Sequence, residues 1–300
     1  MKKKTYLFAL MAMALTLGSC SDNENGIGGE TSKYITVSTS IGNMTRVATD
    51  EKGGQTFEEG DEISVYAWTG DATVAPETSE RVVNNPINKL TNGSWVSTPQ
   101  MLWKNNRDKH YFIGVYPTAA ISDLSAGEYT FDANKQTESD LLVAVNPDGL
   151  SYNVDEPQTV PLTFTHVMAK LVVNLTYKNQ WGGIPTVEKV VVGNAAKEAT
   201  INYLTKVVTP STTAKEDFSL PEITENTKYV SVIIPQEEVT QLTIVIGGKN
   251  FVYDNGTPFK LESGKITTVN LEVGRDEIKL GDVKITNWED GSTFSGEALN

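Results

Sequence analysis

The sequence is poor in the residues that carry most enzyme chemistry. It has one cysteine and two histidines in 300 residues. A single thiol excludes an intramolecular disulfide framework. His110 and His166 lie far apart in sequence, and no Gly-x-Ser-x-Gly elbow, His-Glu-x-x-His pair or phosphate-binding P-loop accompanies them. Basic residues are also scarce: 25 Lys and Arg stand against 38 Asp and Glu, a formal charge of −13. Nucleic acid and anionic lipid want basic patches, so neither is an expected partner. No stretch beyond the N-terminal residues sustains the i, i+3, i+4, i+7 apolar spacing of a helix. Carboxylates are plentiful, and an acid pair at glycosidase spacing stays open, although their usual role in so acidic a chain is solvation. The turns at 146–149 and 289–291 have oxygen ligands without the spacing of an EF-hand loop. The expectation is a non-enzymatic protein with no cofactor, no metal and no catalytic residue.

The N-terminus is the one long apolar run. Lys2, Lys3 and Lys4 precede an uncharged, mostly apolar segment over residues 5–17, and Leu17-Gly18-Ser19 then lead to Cys20. This is the pattern of a secretory signal peptide over residues 1–19, too short for a spanning helix of about 20 residues. The Leu-Gly-Ser-Cys ending resembles the lipobox of bacterial lipoproteins, which implies cleavage before Cys20 and acylation of that residue. Two or more acyl chains anchor a protein stably. The plain alternative is a secreted protein whose first residue is cysteine. Without residues 1–19, 25 basic residues less three lysines leave 22 against 38 acids, a charge of −16. Residues 20–33 are acidic, Gly-rich and aperiodic, as a flexible tether is. Ser21-Asp22-Asn23-Glu24 also resembles the acidic signal that carries lipoproteins of Bacteroidetes to the outer face of the outer membrane.

Beyond the tether, two-residue periodicity is everywhere. The central stretch is residues 160–175, where Leu162, Phe164, His166 and Met168 alternate with Thr163, Thr165 and Val167, and Ala169, Leu171, Val173 and Leu175 then take over the apolar side. A one-residue phase slip turns a face over unless an extra residue is absorbed, which predicts a β-bulge near 167–169 in one long, bent strand. Further strands are expected at 34–41, 62–68, 110–116, 141–145, 187–192, 199–204, 229–234, 242–246, 250–253, 265–273 and 283–288. Pro117 and Pro235 end two of them, because proline lacks the ladder donor. Asn146-Pro147-Asp148-Gly149 reads as a turn. Many short strands separated by Gly, Asn, Asp and Pro make the fold class all-β, with two tandem β-sandwich domains at 34–157 and 158–300. His166, in phase with Leu162 and Phe164, is expected as a hydrogen-bonded core residue, and His110 as a solvated strand end. Trp68, Trp95 and Trp103 are expected in core or loops. An exposed coplanar row of them would instead stack on sugar rings.

Several stretches together resemble the fimbrillin-like proteins of Bacteroidetes, subunits and tip adhesins of lipoprotein-derived pili. They are Thr45-Arg46, the run from Phe57 through Glu58-Glu59-Gly60-Asp61-Glu62 to Ile63, and residues 111–117 ending in Tyr116-Pro117. Asp140-Leu141-Leu142-Val143-Ala144, the run from Phe164-Thr165-His166 to Leu171, and Ile285-Thr286-Asn287-Trp288 complete the set. No piece is specific alone; their order along the chain is. The resemblance implies transthyretin-like sandwiches and a structural or adhesive pilus subunit at the cell outer membrane. It also implies assembly by cleavage after an arginine, loss of the first strand, and refilling of its groove by a strand of another subunit. Arg46 is the only arginine before the Phe57–Ile63 motif and follows the 34–41 strand, which makes it the expected processing site, or else a loop arginine of no consequence. The tail at 278–288, with Ile278, Leu280, Val283 and Ile285 as apolar knobs, is the candidate donor or the last strand of its own domain. A tip subunit would hold a host or bacterial surface ligand. A monomeric glycan-binding surface lipoprotein and a surface glycoside hydrolase are the alternatives.

Overall fold

A computed structural model describes residues 33–42, 56–153, 155–156, 158–239, 241–253 and 258–288. The first eight strands are β1 (Thr36–Ile41), β2 (Glu62–Thr69), β3 (Val83–Thr91), β4 (Ser94–Thr98), β5 (His110–Tyr116), β6 (Gly127–Thr130), β7 (Leu142–Leu150) and β8 (Thr159–His166). Then come β9 (Ala169–Tyr177), β10 (Val187–Ala196), β11 (Glu198–Asn202), β12 (Val207–Pro210), β13 (Lys215–Ser219) and β14 (Glu222–Thr224). The last are β15 (Lys228–Ile233), β16 (Gln236–Val239), β17 (Leu242–Ile246), β18 (Lys249–Tyr253), β19 (Phe259–Leu261), β20 (Lys265–Val273) and β21 (Ile278–Asn287). Two single 3-10 turns are the only helical elements among the described residues. No helix there is long and apolar enough to cross a membrane.

The first sheet runs β1-β8-β7-β5-β2-β3-β4. Its central strands are apolar on both faces, and β2 shows why. Ile63, Val65 and Ala67 point to one core with Phe112, Leu142, Ala144, Val160, Leu162 and Phe164. Tyr66 and Trp68, on the opposite pleat, join a second core with Ile113, Val115 and Val143. A strand buried on both faces must be apolar at nearly every position. The sheet also curls, so that its edge strands β1 and β4 come together without forming a ladder with each other. The first core therefore lies inside the curl.

The second core is walled by two further sheets, β14-β15-β9-β20-β21 and β13-β10-β17-β18. Leu171, Val173 and Leu175 on β9 meet Val190 and Val192 on β10 and Ile244 on β17 in this core. This is sandwich packing, with alternate residues of each strand turned inward.

The central stretch corrects the sequence reading. Residues 160–175 are two strands in two sheets, not one bulged strand. β8 ends at His166 and β9 begins at Ala169, and Val167 and Met168, both buried, carry the chain across. The phase slip is this crossing: Phe164 serves the first core and Leu171 the second. Hence β8 does not open a new sandwich; it closes the first sheet, antiparallel to β7 and parallel to β1. A three-stranded sheet, β12-β11-β6, also pairs strands from either side of the boundary expected at 157/158. Asn146–Gly149 reverses no chain direction either. The segment lies inside β7, where the register against β5 slips between His110 and Phe112. Gly149 takes φ +63 there and donates its N–H to Asn146 Oδ1 at 3.0 Å.

Candidate functional site: the groove under the first strand

β1 contributes to the first core from the edge of the sheet. It has one ladder partner, β8, in parallel register from Thr36 opposite Thr159 to Ile41 opposite Phe164. Side chains reinforce the ladder: Thr36 and Thr159 hydroxyls lie 3.2 Å apart, and Ser40 Oγ donates to Thr163 Oγ1 at 3.2 Å. Each end is tied by backbone bonds. Ile35 N–H donates to Met101 O at 2.9 Å, Trp103 N–H to Lys33 O at 3.2 Å, and Gly42 N–H to Phe164 O at 2.8 Å. Inward, Ile35, Val37 and Ile41 are buried. Thr39 shares their face and accepts a hydrogen bond from Trp95 Nε1 on β4 at 2.9 Å. A cleft of about 610 Å³ opens along β1, lined by Phe57, Leu90, Gly93, Ser94 and Trp95.

The Phe57–Ile63 motif finishes this groove. The Phe57 ring makes edge contacts with Trp95 at 5.3 Å, Tyr116 at 5.4 Å and Phe164 at 5.1 Å. Its acids act on the backbone. Asp61 Oδ2 accepts from Glu58 N–H at 2.7 Å, and Gly60 turns at φ +98. Glu59 Oε1 accepts from Asn92 N–H at 2.6 Å, holding the β3–β4 hairpin that carries Trp95. Tyr116 donates its hydroxyl to Asp61 Oδ1 at 3.4 Å, and burial followed by that carboxylate raises its pKa.

Three other motifs converge at the sheet crossing. His166 Nδ1–H donates to Asp140 Oδ1 at 2.8 Å, as a hydrogen-bonded core histidine should. Its ring stacks on Trp288, 4.0 Å between centroids and 6° from parallel. Lys170 Nζ sits 5.4 Å from the centre of the same indole. Burial pulls the Lys170 pKa down, and Asp140 partly offsets it. Trp288 thus pins the end of β21 to both sides of the crossing.

His110 is the second correction. It is fully buried and not a solvated strand end. Nε2 accepts from Lys104 N–H at 3.1 Å, which leaves the proton on Nδ1 to donate to Asp108 O at 3.1 Å. Desolvation lowers its pKa, so the neutral ring is a structural tie. Trp68 and Trp103 are buried and Trp95 is half-buried, so they form no exposed row. The tail at 278–288 is β21 followed by Trp288, the strand antiparallel to β20 and at the edge of its sheet. Its apolar phase shifts between Leu280 and Val283 because the register slips at Gly281, a bulge. Cys20 and Arg46 lie outside the described residues. The sequence reading missed Trp95 and Thr39 as a pair. The available signal was Thr39, the one hydroxyl in the inward row of Ile35, Val37 and Ile41.

The fold has known counterparts. A protein assigned to cell adhesion in Bacteroides uniformis superposes with a TM-score of 0.64 at 20% identity, covering 86% of this chain and 100% of its own. A fimbrial protein of Bacteroides vulgatus gives 0.51 at 12% identity, covering 84% and 99%. A C-terminally truncated tip fimbrial protein of Porphyromonas gingivalis gives 0.50 at 11%, covering 77% and 95%. No curated protein sequence matches. The family model described as fimbrillin-like matches residues 45–288, from just before Arg46 through Trp288, and so takes in the Phe57–Ile63 motif and the residues at the sheet crossing. The chain belongs to the fimbrillin-like family.

Proposed function

We propose that the protein is a fimbrial subunit, made as a surface lipoprotein acylated on Cys20 and held at the outer membrane. In this reading it assembles when cleavage after Arg46 frees β1 and a strand of another subunit takes its place. One observation carries the proposal: β1 is an edge strand that supplies core side chains, and residues 43–55, which include Arg46, follow it directly. Losing it would uncover Val160, Leu162, Phe164 and one edge of β8. Exposed apolar pockets and unpaired backbone groups are costly until another strand pairs there. β21 is the donor this reading favours, because it is a long edge strand with a half-covered apolar face. The division into sandwich domains at 34–157 and 158–300, transthyretin-like in arrangement, belongs to the same reading, with the divide moved to Val167–Met168. The family supports a structural protein and not an enzyme.

A reversible tether tests the release of β1. Thr36 and Thr159 are register partners with hydroxyls 3.2 Å apart, so cysteines placed there would face each other across the ladder. Oxidised Thr36→Cys, Thr159→Cys protein should be cut by trypsin and remain monomeric on SDS gels, with oligomers appearing once reductant is added. Equal assembly of the oxidised and reduced protein would contradict the proposal. For anchoring, Cys20→Ala should abolish incorporation of labelled fatty acid in cells; label retained on the variant would refute the lipoprotein assignment.

A further inference from the structure

One polar group across the groove from β1 is aimed at its inward row. Trp95 Nε1–H points at Thr39 Oγ1 across 2.9 Å, and an indole N–H can only donate. When β1 leaves, that donor loses its acceptor in a half-buried aromatic setting, against Phe57 at 5.3 Å. A replacement strand with an aliphatic residue at this place would leave the donor unpaired, which costs more than the bond itself contributes. Residues on one face of a strand recur every two positions. The outgoing strand therefore defines a pattern: Ile35, Val37, an oxygen acceptor at Thr39, then the buried Ile41.

β21 carries the first three places of this pattern. Val283 and Ile285 are followed two residues later by Asn287, whose side-chain oxygen is an uncharged acceptor. Asn287 Oδ1 already accepts from Lys265 Nζ where β21 now sits, so its side chain is turned to hydrogen bonding there. The face is only partly covered in that position: Val283 is half-buried, and Ile285 is 39% exposed. Entry into the groove would bury both. The other phase of β21, Ile278 and Leu280, leads to Asp282, a carboxylate that would be costly to desolvate. Residues 283–287 thus match the places of Ile35, Val37 and Thr39, with Glu289 falling two residues on, at the place of Ile41.

We propose that Trp95 is the specificity-determining residue of the groove, admitting a strand that presents an uncharged oxygen acceptor two residues beyond a pair of β-branched side chains. A second copy of this chain supplies it through Val283, Ile285 and Asn287. This rests on the strand-replacement reading above.

The test offers labelled peptides of residues 33–42 to full-length protein that has been processed by trypsin and then freed of active protease, with affinity read by fluorescence anisotropy. The parent peptide should bind. Its Thr39→Val version should bind about tenfold more weakly, for one half-buried donor left without its acceptor, and Thr39→Ser should recover the loss. On Trp95→Phe protein, which keeps a ring against Phe57 but has no N–H, parent and Thr39→Val peptides should bind alike. Equal binding of the two to the unaltered protein would overturn the role of Trp95 while leaving strand replacement standing. No binding of the parent peptide would remove strand replacement itself, and this inference with it. Full-length Asn287→Val should form oligomers about tenfold more slowly after processing; assembly at the parent rate would overturn the assignment of residues 283–287 as the incoming segment.

Discussion

Replacing Phe164 by alanine is expected to cost about 3–5 kcal/mol of stability, the range for a fully buried phenylalanine. The ring has no exposed surface. It packs 5.1 Å from Phe57 and fills space that Gly114 on β5 leaves open. A Cβ added at Gly114 would come within 2.6 Å of Phe164 Cζ. Little can move in to fill the void, because Gly114 has no side chain and β7 and β1 bracket β8. Denaturant unfolding measures the total, and a loss under about 1 kcal/mol would mean the ring is not packed as described. Location is a second readout. Hydrogen exchange should rise first in β1, β5 and β7, the sheet to which Phe164 belongs, and not in β9 and β20.

Trp288→Ala should rank next. The indole is 6% exposed, stacked on His166 and approached by Lys170. Full loss of such a side chain costs about 3–5 kcal/mol. At the end of an edge strand, however, the chain can fray locally, and the global loss is capped by the free energy of that opening. The expected result is therefore a smaller change in global unfolding, with a marked loss of exchange protection across β21. Unchanged protection in β21, with a global loss of the full amount, would show that Trp288 holds the core as a whole and not the strand end. If β21 is the donor in assembly, the variant should also oligomerise faster after processing.

Much of this was legible in the sequence, for identifiable reasons. Alternation marked Leu162 and Phe164, and after the slip Leu171, Val173 and Leu175, as inward, because a two-residue period survives whatever the sheets do. The same period cannot say why a phase changes. A bulge and a switch between sheets give the same slip at 167–169, and only long-range pairing, β8 with β1 and β9 with β20, separates them. At Gly281 the reverse held, and the slip from Leu280 to Val283 is a bulge within one strand. His110 looked solvated because it begins a strand. Its burial comes from Trp103 packing edge-on against it at 5.0 Å, seven residues earlier in the chain but on no regular element. The groove was legible as a first strand ahead of Arg46, whereas its one directed hydrogen bond, Trp95 to Thr39, joins residues that no local pattern links.

Limited trypsin digestion of the full-length protein tests the central claim most directly. The first cut should fall after Arg46, identified by mass spectrometry, and the product should form SDS-resistant oligomers. Arg46→Ala protein, treated alike, should stay monomeric, as should a processed chain ending at Val273. Cleaved protein that remains monomeric at high concentration, or Arg46→Ala protein that assembles as well as the parent, would contradict assembly by replacement of the first strand.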